Sequence, residues 1–238
     1  MGKIGASDIP IAMHLSPFAK RFDLLMQKTG NAVKPKASYA MQYGTKTEPK
    51  VLQMMIARTG RKFKSITFES KIFPWLVAQV DGTDGEILLE IKCPTSRLLY
   101  ADALQGMIPP YYVAQMQTQM LVTGLKLCVF AVYYKQDLVT LECEADPLLQ
   151  KKIVEASVEF LLDMPKVGIK SEPLRNALEL YQSDLGIFSE TLANWYQSSI
   201  QHLQTGLDKE QEYQGNLLDS MLVDHMTALP PQPAPAMQ

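Results

Sequence analysis

Asp81-Gly82-Thr83-Asp84-Gly85-Glu86-Ile87-Leu88-Leu89-Glu90-Ile91-Lys92 is the stretch whose reading decides this chain. It joins two apolar runs, residues 76–80 and 87–91, through a Gly-rich turn. Side chains alternate along a strand, so Glu90 and Lys92 project to one face while Ile87, Leu89 and Ile91 project to the other. If the runs pair as a hairpin, Asp81 arrives beside Glu90, with Lys92 one step further along. An acid, a turn and Glu-x-Lys also occur in exposed hairpins, where they only solvate one face. Here Leu76, Val77, Ile87, Leu88 and Leu89 make both faces apolar, so the charges need a partner or a task. Two carboxylates and an ammonium at the end of a sheet suit a hard divalent cation and a water needing activation.

The rest of the composition narrows the class. At 238 residues and 47% hydrophobic content, the chain can bury one good core and a helical annex. No apolar run approaches the roughly 20 residues needed to span a bilayer, and the N-terminus lacks the basic-then-apolar pattern of a signal peptide. Cys93, Cys128 and Cys143 are unclustered, which suits reduced thiols and gives no zinc spacing. His14, His202 and His225 are too scattered to suggest a triad or a metal site. Net charge is −2, but residues 1–71 carry +9 and residues 72–238 carry −11. Lys34, Lys36, Lys46, Lys50, Arg58, Arg61, Lys62 and Lys64 fall close together in the basic third, where they can contact phosphates or simply be solvated.

Around the central stretch the elements follow from periodicity and punctuation. Ser7 and Asp8 read as a helix start, with Ser7 the cap and Pro10 in the first turn. Ser16-Pro17 opens a second helix over 18–28, closed by Gly30-Asn31. A capped helix N-terminus can bind phosphate through its free N–H groups, although most such caps are purely structural. A third helix is expected over 39–58, ending at Gly60, with Glu48 on the face of Val51, Leu52 and Met55. A carboxylate aimed at the core is costly unless paired or metal-bound; a Glu at the stripe's edge is the plainer alternative. Pro49 fits poorly in a helix interior, so a start near Thr47 is also open. Residues 63–68 read as a strand, 94–107 as a loop, and Pro109-Pro110 as the opening of a helix that runs to Thr123 and stops at Gly124. Tyr112, Gln115 and Gln119 line one stripe of that helix, Gln117 pointing away; the stripe can hold phosphate, base or water, or face solvent. Residues 127–134 and 139–144 read as paired strands, and Asp146-Pro147 as the start of a helix through Leu162. After Pro173, apolar residues from Leu174 to Trp195 recur at steps of four and three, the seam of a coiled-coil-like helix. Gly206 breaks it, a second helix follows to about Met226, and 229–238 is a Pro-rich tail expected to be disordered.

Asp-x(8)-Glu-x-Lys resembles the signature of the PD-(D/E)xK nucleases, and three more segments sharpen the likeness. Gly5-Ala6-Ser7-Asp8, then Gly44-Thr45-Lys46-Thr47-Glu48, then Asp81-Gly82 to Glu90-Ile91-Lys92-Cys93-Pro94, then Tyr112-Val113-Ala114-Gln115-Met116-Gln117 occur in order over residues 5–124. Together they resemble the lambda-exonuclease / YqaJ-type viral recombinase family of alkaline exonucleases. The resemblance implies an α/β fold: a restriction-endonuclease-like core with a central mixed sheet flanked by helices over 1–170. A C-terminal helical hairpin over 171–228 lies outside the match, as does the tail 229–238.

The resemblance also implies roles. Asp81 and Glu90 would be metal carboxylates, the Ile91 carbonyl a further ligand and Glu48 a third acid. Lys92 would orient or deprotonate the attacking water and offset charge at the scissile phosphate. Gln115 would help hold water or phosphate with Tyr112 in support, and Ser7 would bind a 5′-terminal phosphate. The family often carries an Arg ahead of this Ser, where this chain offers only Lys3, and a Ser two residues before the metal Asp, where it has Gln79. Both departures bear on end recognition rather than on cleavage. The implied activity is a Mg²⁺-dependent 5′-to-3′ exonuclease acting on one strand of duplex DNA. It would use two ions per site, roughly 3.5–4 Å apart, and Mn²⁺ would substitute. A trimeric ring, a single-strand annealing protein as partner, and the cytoplasm of a bacterial host to a phage or prophage complete the expectation. An endonuclease of the same core, or a DNA-binding subunit without the chemistry, are the alternatives; the intact Asp81, Glu90 and Lys92 set speaks against the second.

Overall fold

The computed structural model describes residues 3–33, 35–170, 172, 174–179, 194–195, 197–198 and 201. The chain divides into two compact units, residues 1–191 and 192–238, and the fold below belongs to the first. The seam expected after Pro173 is described only in part, with Leu174 and Leu178 buried. The second helix of that hairpin and the tail lie outside the described residues.

Six strands form one mixed sheet: β1 (Ile4–Gly5), β2 (Lys64–Glu69), β3 (Leu76–Thr83), β4 (Leu88–Lys92), β5 (Leu127–Tyr134) and β6 (Asp137–Glu144). β5 is a run of β-branched and aromatic residues with Cys128, Phe130, Ala131 and Val132 fully buried, as expected of a central strand covered on both faces. It pairs parallel with β4, Glu90 opposite Phe130 and Lys92 opposite Val132, and antiparallel with β6 along its whole length. A parallel pair needs a crossover. Here the crossover is α4 (Leu98–Leu104) and α5 (Pro110–Thr123). The sequence reading made residues 94–107 a loop. A helix forms instead because Leu99 and Ala103 bury one side against β5 and β6.

β3 organises the site. One edge pairs antiparallel with β2 from Val77 to Thr83. The other is shared: Leu76 and Val77 pair with β1, while Gly82 and Thr83 pair with Leu89 and Leu88 of β4. Between these patches β4 leaves β3, and the Ile91 N–H turns to the Asp81 carboxylate at 2.7 Å instead of a backbone carbonyl. The hairpin register expected from sequence is therefore present, but the ladder splits at Asp81.

Helices cover both faces. α3 (Tyr39–Thr59) lays Val51 and Met55 on Phe63, Leu89, Ile91 and Ala131. It runs unbroken through Pro49, so the alternative start near Thr47 does not occur. Ser38 caps it by accepting the Met41 N–H, and Gly60 closes it at φ +71°. Gly82 is needed for this approach: a Cβ there would lie 3.1 Å from Leu52 and 3.2 Å from Leu89 and Phe63. On the other face, α5 packs on β3 with α1 (Ile9–Ala12) and α6 (Pro147–Asp163) around it. Asp146 caps α6 as expected, accepting the N–H groups of Leu148 and Leu149. The first helix departs from expectation. Its N-cap position is Asp8 rather than Ser7, and the Asp8 side chain makes no cap hydrogen bond: its carboxylate instead accepts the Gly5 N–H at 2.7 Å and pairs with Lys28 at 2.5 Å. α2 (Arg21–Lys28) begins three residues later than expected, with Ser16 instead accepting the Phe18 N–H.

Candidate active site

Alternation along β4 separates two environments. Leu89 and Ile91 enter the core beneath α3, while Glu90 and Lys92 face α5. Glu90 is 1% exposed, a position that costs a carboxylate heavily unless its lone pairs are filled. Most of them are: Lys92 Nζ stands 2.5 Å from Oε1, Gln115 Nε2 donates to Oε1 at 2.8 Å, and Gln119 Nε2 donates to Oε2 at 2.6 Å, which leaves acceptor capacity on Oε2. Gln115 and Gln119 are one helical turn apart on α5, so a single face delivers both amides. The stripe noticed in the sequence thus faces the site, not solvent. Gln117, on the other side, is also buried, and holds the Glu144 carbonyl and the Asp146 N–H.

Lys92 is sandwiched. Besides Glu90 it lies 4.7 Å from the centroid of the Tyr112 ring, and its Nζ is 3.5 Å from Gln115 Oε1. Burial works against its ammonium, yet the charges of Glu90 and Asp81 outweigh burial and raise its pKa above the usual lysine value.

Asp81 sits where the strands part. Its Oδ2 takes the Ile91 N–H, and among the described residues no cation forms an ion pair with it. Burial, followed by the nearby Glu90 charge, pushes its carboxyl up to about 8, against the pull of the Ile91 N–H and Lys92. Glu48, half-buried on α3, makes no hydrogen bond or ion pair among the described residues. Burial and then Glu90 raise it, while Lys92 lowers it. Cys93 is caught in the same field: burial first, then Glu48 and Asp81, push its thiol up to about 11. Among the described residues, three carboxylates share the Lys92 ammonium.

That surplus is the test of whether a cation fits. The donors are hard oxygens, as Mg²⁺ or Mn²⁺ prefer: Asp81, Glu90, the Ile91 carbonyl, and Glu48 at the margin. Among the described residues no three acidic, His or Cys side chains already close into a cage. An open set of one or two carboxylates is how Mg²⁺ is commonly held, with waters and substrate phosphate completing the shell. The residues present fit such an ion.

The expected end-binding residues lie elsewhere. β1 runs parallel to β3, so the chain leaves Gly5 in the direction of Asp81, and Ser7 follows as an exposed turn residue. Lys3 is at the other end of β1 and is engaged with Glu69 at 2.6 Å. Lys28, paired with Asp8, is the cation beside the residue that follows Ser7. Gln119 is the site residue that sequence reasoning left out of its candidate set. Its place on the Tyr112–Gln115 stripe was the available signal.

The family model of the YqaJ-like viral recombinase domain matches residues 1–126. An alkaline exonuclease from Laribacter hongkongensis superposes with a TM-score of 0.62 at 24% identity, over 78% of this chain and 94% of its own; its complex with dAMP gives the same figures. A phage related exonuclease from Haemophilus somnus 129PT superposes with a TM-score of 0.55 at 12% identity, over 69% of this chain and 94% of its own. At these identities the likeness is one of fold. No curated protein matches the chain.

Proposed function

The chain belongs to the YqaJ-like viral recombinase domain family, whose relatives are nucleases, and on that premise we propose that it degrades one strand of duplex DNA from a 5′ end in a Mg²⁺-dependent reaction. The observation that carries this reading is the meeting of Asp81, Glu90 and Lys92 where β3 and β4 part, with more carboxylate charge than the protein itself neutralises. Asp81, Glu90, the Ile91 carbonyl and Glu48 would hold the ions. Mg²⁺ bound there would supply Lewis-acid chemistry at the scissile phosphate.

The remaining work falls to the chain. Gln115 and Gln119 fix the Glu90 carboxylate in place, so it need not be ordered when substrate arrives. Lys92 remains an ammonium; orienting water and offsetting phosphate charge is the role this supports. Tyr112 bears on Lys92 and sets its direction. Ser7, at the open end of β1, takes the 5′ phosphate. The basic first third of the chain contacts the duplex backbone, which makes binding fall with salt between roughly 50 and 200 mM. Family likeness further supports a homotrimeric ring, a single-strand annealing partner and a place in phage-type recombination in a bacterial cytoplasm. No helix among the described residues is long and apolar enough to cross a membrane.

Linear duplex labelled separately at each end, with and without a 5′ phosphate, tests the reading in Mg²⁺. The 5′ label should be released first and faster from the phosphorylated end, with closed circular duplex left intact. Release from 3′ ends would overturn the polarity, and nicking of closed circles would favour an endonuclease.

A further inference from the structure

Phe18 is 75% exposed, in the loop between α1 and α2. Isolated surface apolar residues are ordinary. This one ends a contiguous run of rings. Its ring meets Tyr111 edge-on, with centroids 5.5 Å apart at 88°. Tyr111 lies 4.4 Å from Tyr112, and Tyr112 rests on buried Phe130 at 5.4 Å. The Lys92 ammonium sits 4.7 Å from the Tyr112 centroid. The rings therefore lead from the core past the candidate catalytic ammonium and out to solvent.

The outer end is held in position without being buried. Pro17 limits the backbone before Phe18, and the Ser16 hydroxyl accepts the Phe18 N–H at 3.2 Å. Lys20, two residues on, is exposed and forms no ion pair among the described residues. The neighbouring Arg21 is by contrast tied to Asp163 at 2.5 Å. Rings with a cation near each end, Lys92 inside and Lys20 outside, match the alternation of bases and phosphates in a single strand. Aromatic faces accept any base, which suits an enzyme that must advance through arbitrary sequence.

We propose that Phe18 and Tyr111 form a stacking platform for an unpaired base of the DNA strand beside the scissile phosphate. This rests on the nuclease reading above and names a substrate contact for it. A strand threading to Lys92 must leave the duplex, and its exposed bases then lose their stacking partners. The platform replaces one of them.

The test uses the full chain carrying Phe18→Ala, Phe18→Trp or Phe18→Leu. Each is compared with wild type on 5′-phosphorylated duplex and on bis(p-nitrophenyl) phosphate, which has no base, with binding of oligo(dT) followed by anisotropy. Phe18→Ala should raise the duplex KM and the oligo(dT) Kd about tenfold, the loss of one stacked base. Turnover of the p-nitrophenyl ester should not change. Phe18→Trp should restore binding, with its indole fluorescence quenched by the oligonucleotide, whereas Phe18→Leu should not. Unchanged duplex KM in Phe18→Ala, or full rescue by Phe18→Leu, overturns the platform. So does a fall in molar mass by light scattering at unchanged DNA affinity, which would make Phe18 a contact between copies of the chain. If wild type cleaves neither substrate, the nuclease reading fails on its own, and the oligo(dT) arm still decides whether Phe18 stacks on a base.

Discussion

Asp81 and Asp84 stand three residues apart on one hairpin, and the structure treats them in opposite ways. Asp84 closes the turn: its Oδ1 accepts the N–H groups of Glu86 and Ile87 at 3.0 and 3.1 Å, and Arg61 pairs with its Oδ2. Burial works against its charge, but the Ile87 N–H, Arg61 and the Glu86 N–H hold the carboxyl down at about 2. Asp81 has the Ile91 N–H and two other acids for company, and is pushed up to about 8. One aspartate is a finished piece of folding, its charge fully answered inside the protein. The other has no paired cation among the described residues, and is left for a proton or a metal ion to answer. Local frustration of this kind marks functional sites, because folding alone gives no reason to keep it.

The comparison breaks most sharply on catalysis. Lys92→Ala should lower DNA cleavage by about 10²–10⁴-fold while DNA binding survives, as expected for loss of a group acting on the reacting atoms. Asp84→Ala should leave cleavage of the end-labelled duplex within a factor of about three, since a loss confined to the turn lowers stability without reaching the reacting groups. Cleavage that persists in Lys92→Ala removes the assigned mechanism.

Next in size is the response to pH and metal. Asp81 binds a proton more tightly folded than unfolded, so its contribution to stability is present below the ordinary value near 3.8 and is lost as pH rises through about 8. Metal-free protein should accordingly lose thermal stability between about pH 4 and 8, with the loss levelling off above that, and Asp81→Asn should reduce it. Added Mg²⁺ should raise the melting temperature of wild type most at the alkaline end, because ligand binding to the folded state alone stabilises it. The gain should vanish in Asp81→Asn. Differential scanning fluorimetry across that pH range decides it; an equal Mg²⁺ gain in both proteins would place the ion elsewhere.

Much of this contrast was legible before the structure, and the part that was not has a physical reason. Alternation along residues 87–92 assigned Glu90 and Lys92 to one face, and the turn brought Asp81 beside them. Strand periodicity and hairpin register are local properties, and they carried through. Helix limits at Gly60, Gly124 and Asp146 were also local, set by caps and breakers. What sequence could not settle was which partner each polar group meets. Residues 94–107 gave no clear period, since only Leu99 and Ala103 of α4 are buried. Ser7 looked like the cap of α1, but the helix starts one residue later and the Asp8 carboxylate turns to Lys28 and the Gly5 N–H instead of capping it. Pro49 argued against a continuous α3, but the long apolar face of that helix outweighs one missing N–H. Gln119 belonged to a stripe whose direction depends on how α5 lies on the sheet, a tertiary fact.

Gln119 sharpens the comparison at a finer level. It is fully buried with its amide on Glu90 Oε2, so in the proposed mechanism it would orient a metal ligand without touching substrate. Gln119→Leu should weaken Mg²⁺ or Mn²⁺ binding about 10–100-fold, as loss of an outer partner of a metal carboxylate does. Titration calorimetry reads this directly, and cleavage at saturating metal should recover most of the wild-type rate. A purely structural role predicts lower melting temperature with unchanged metal affinity.

The smallest effect belongs to Asp84, and it completes the contrast. Asp84→Ala removes the acceptor for two turn N–H groups and one partner of Arg61, a loss comparable to deleting a helix cap, about 1 kcal/mol. Solvent reaches the turn and screens the ion pair, so the Arg61 contact adds little. Because the Asp84 carboxyl is held low, its contribution is present above about 3.8 and fades as pH falls toward 2, the reverse of Asp81. Urea denaturation should therefore find Asp84→Ala less stable than wild type at about pH 7 and nearly equal to it at about pH 2, with Mg²⁺ affinity unaltered at neutral pH. A change in Mg²⁺ affinity would mean that the turn and the site are one unit, and that the finished aspartate helps to hold the unfinished one in place.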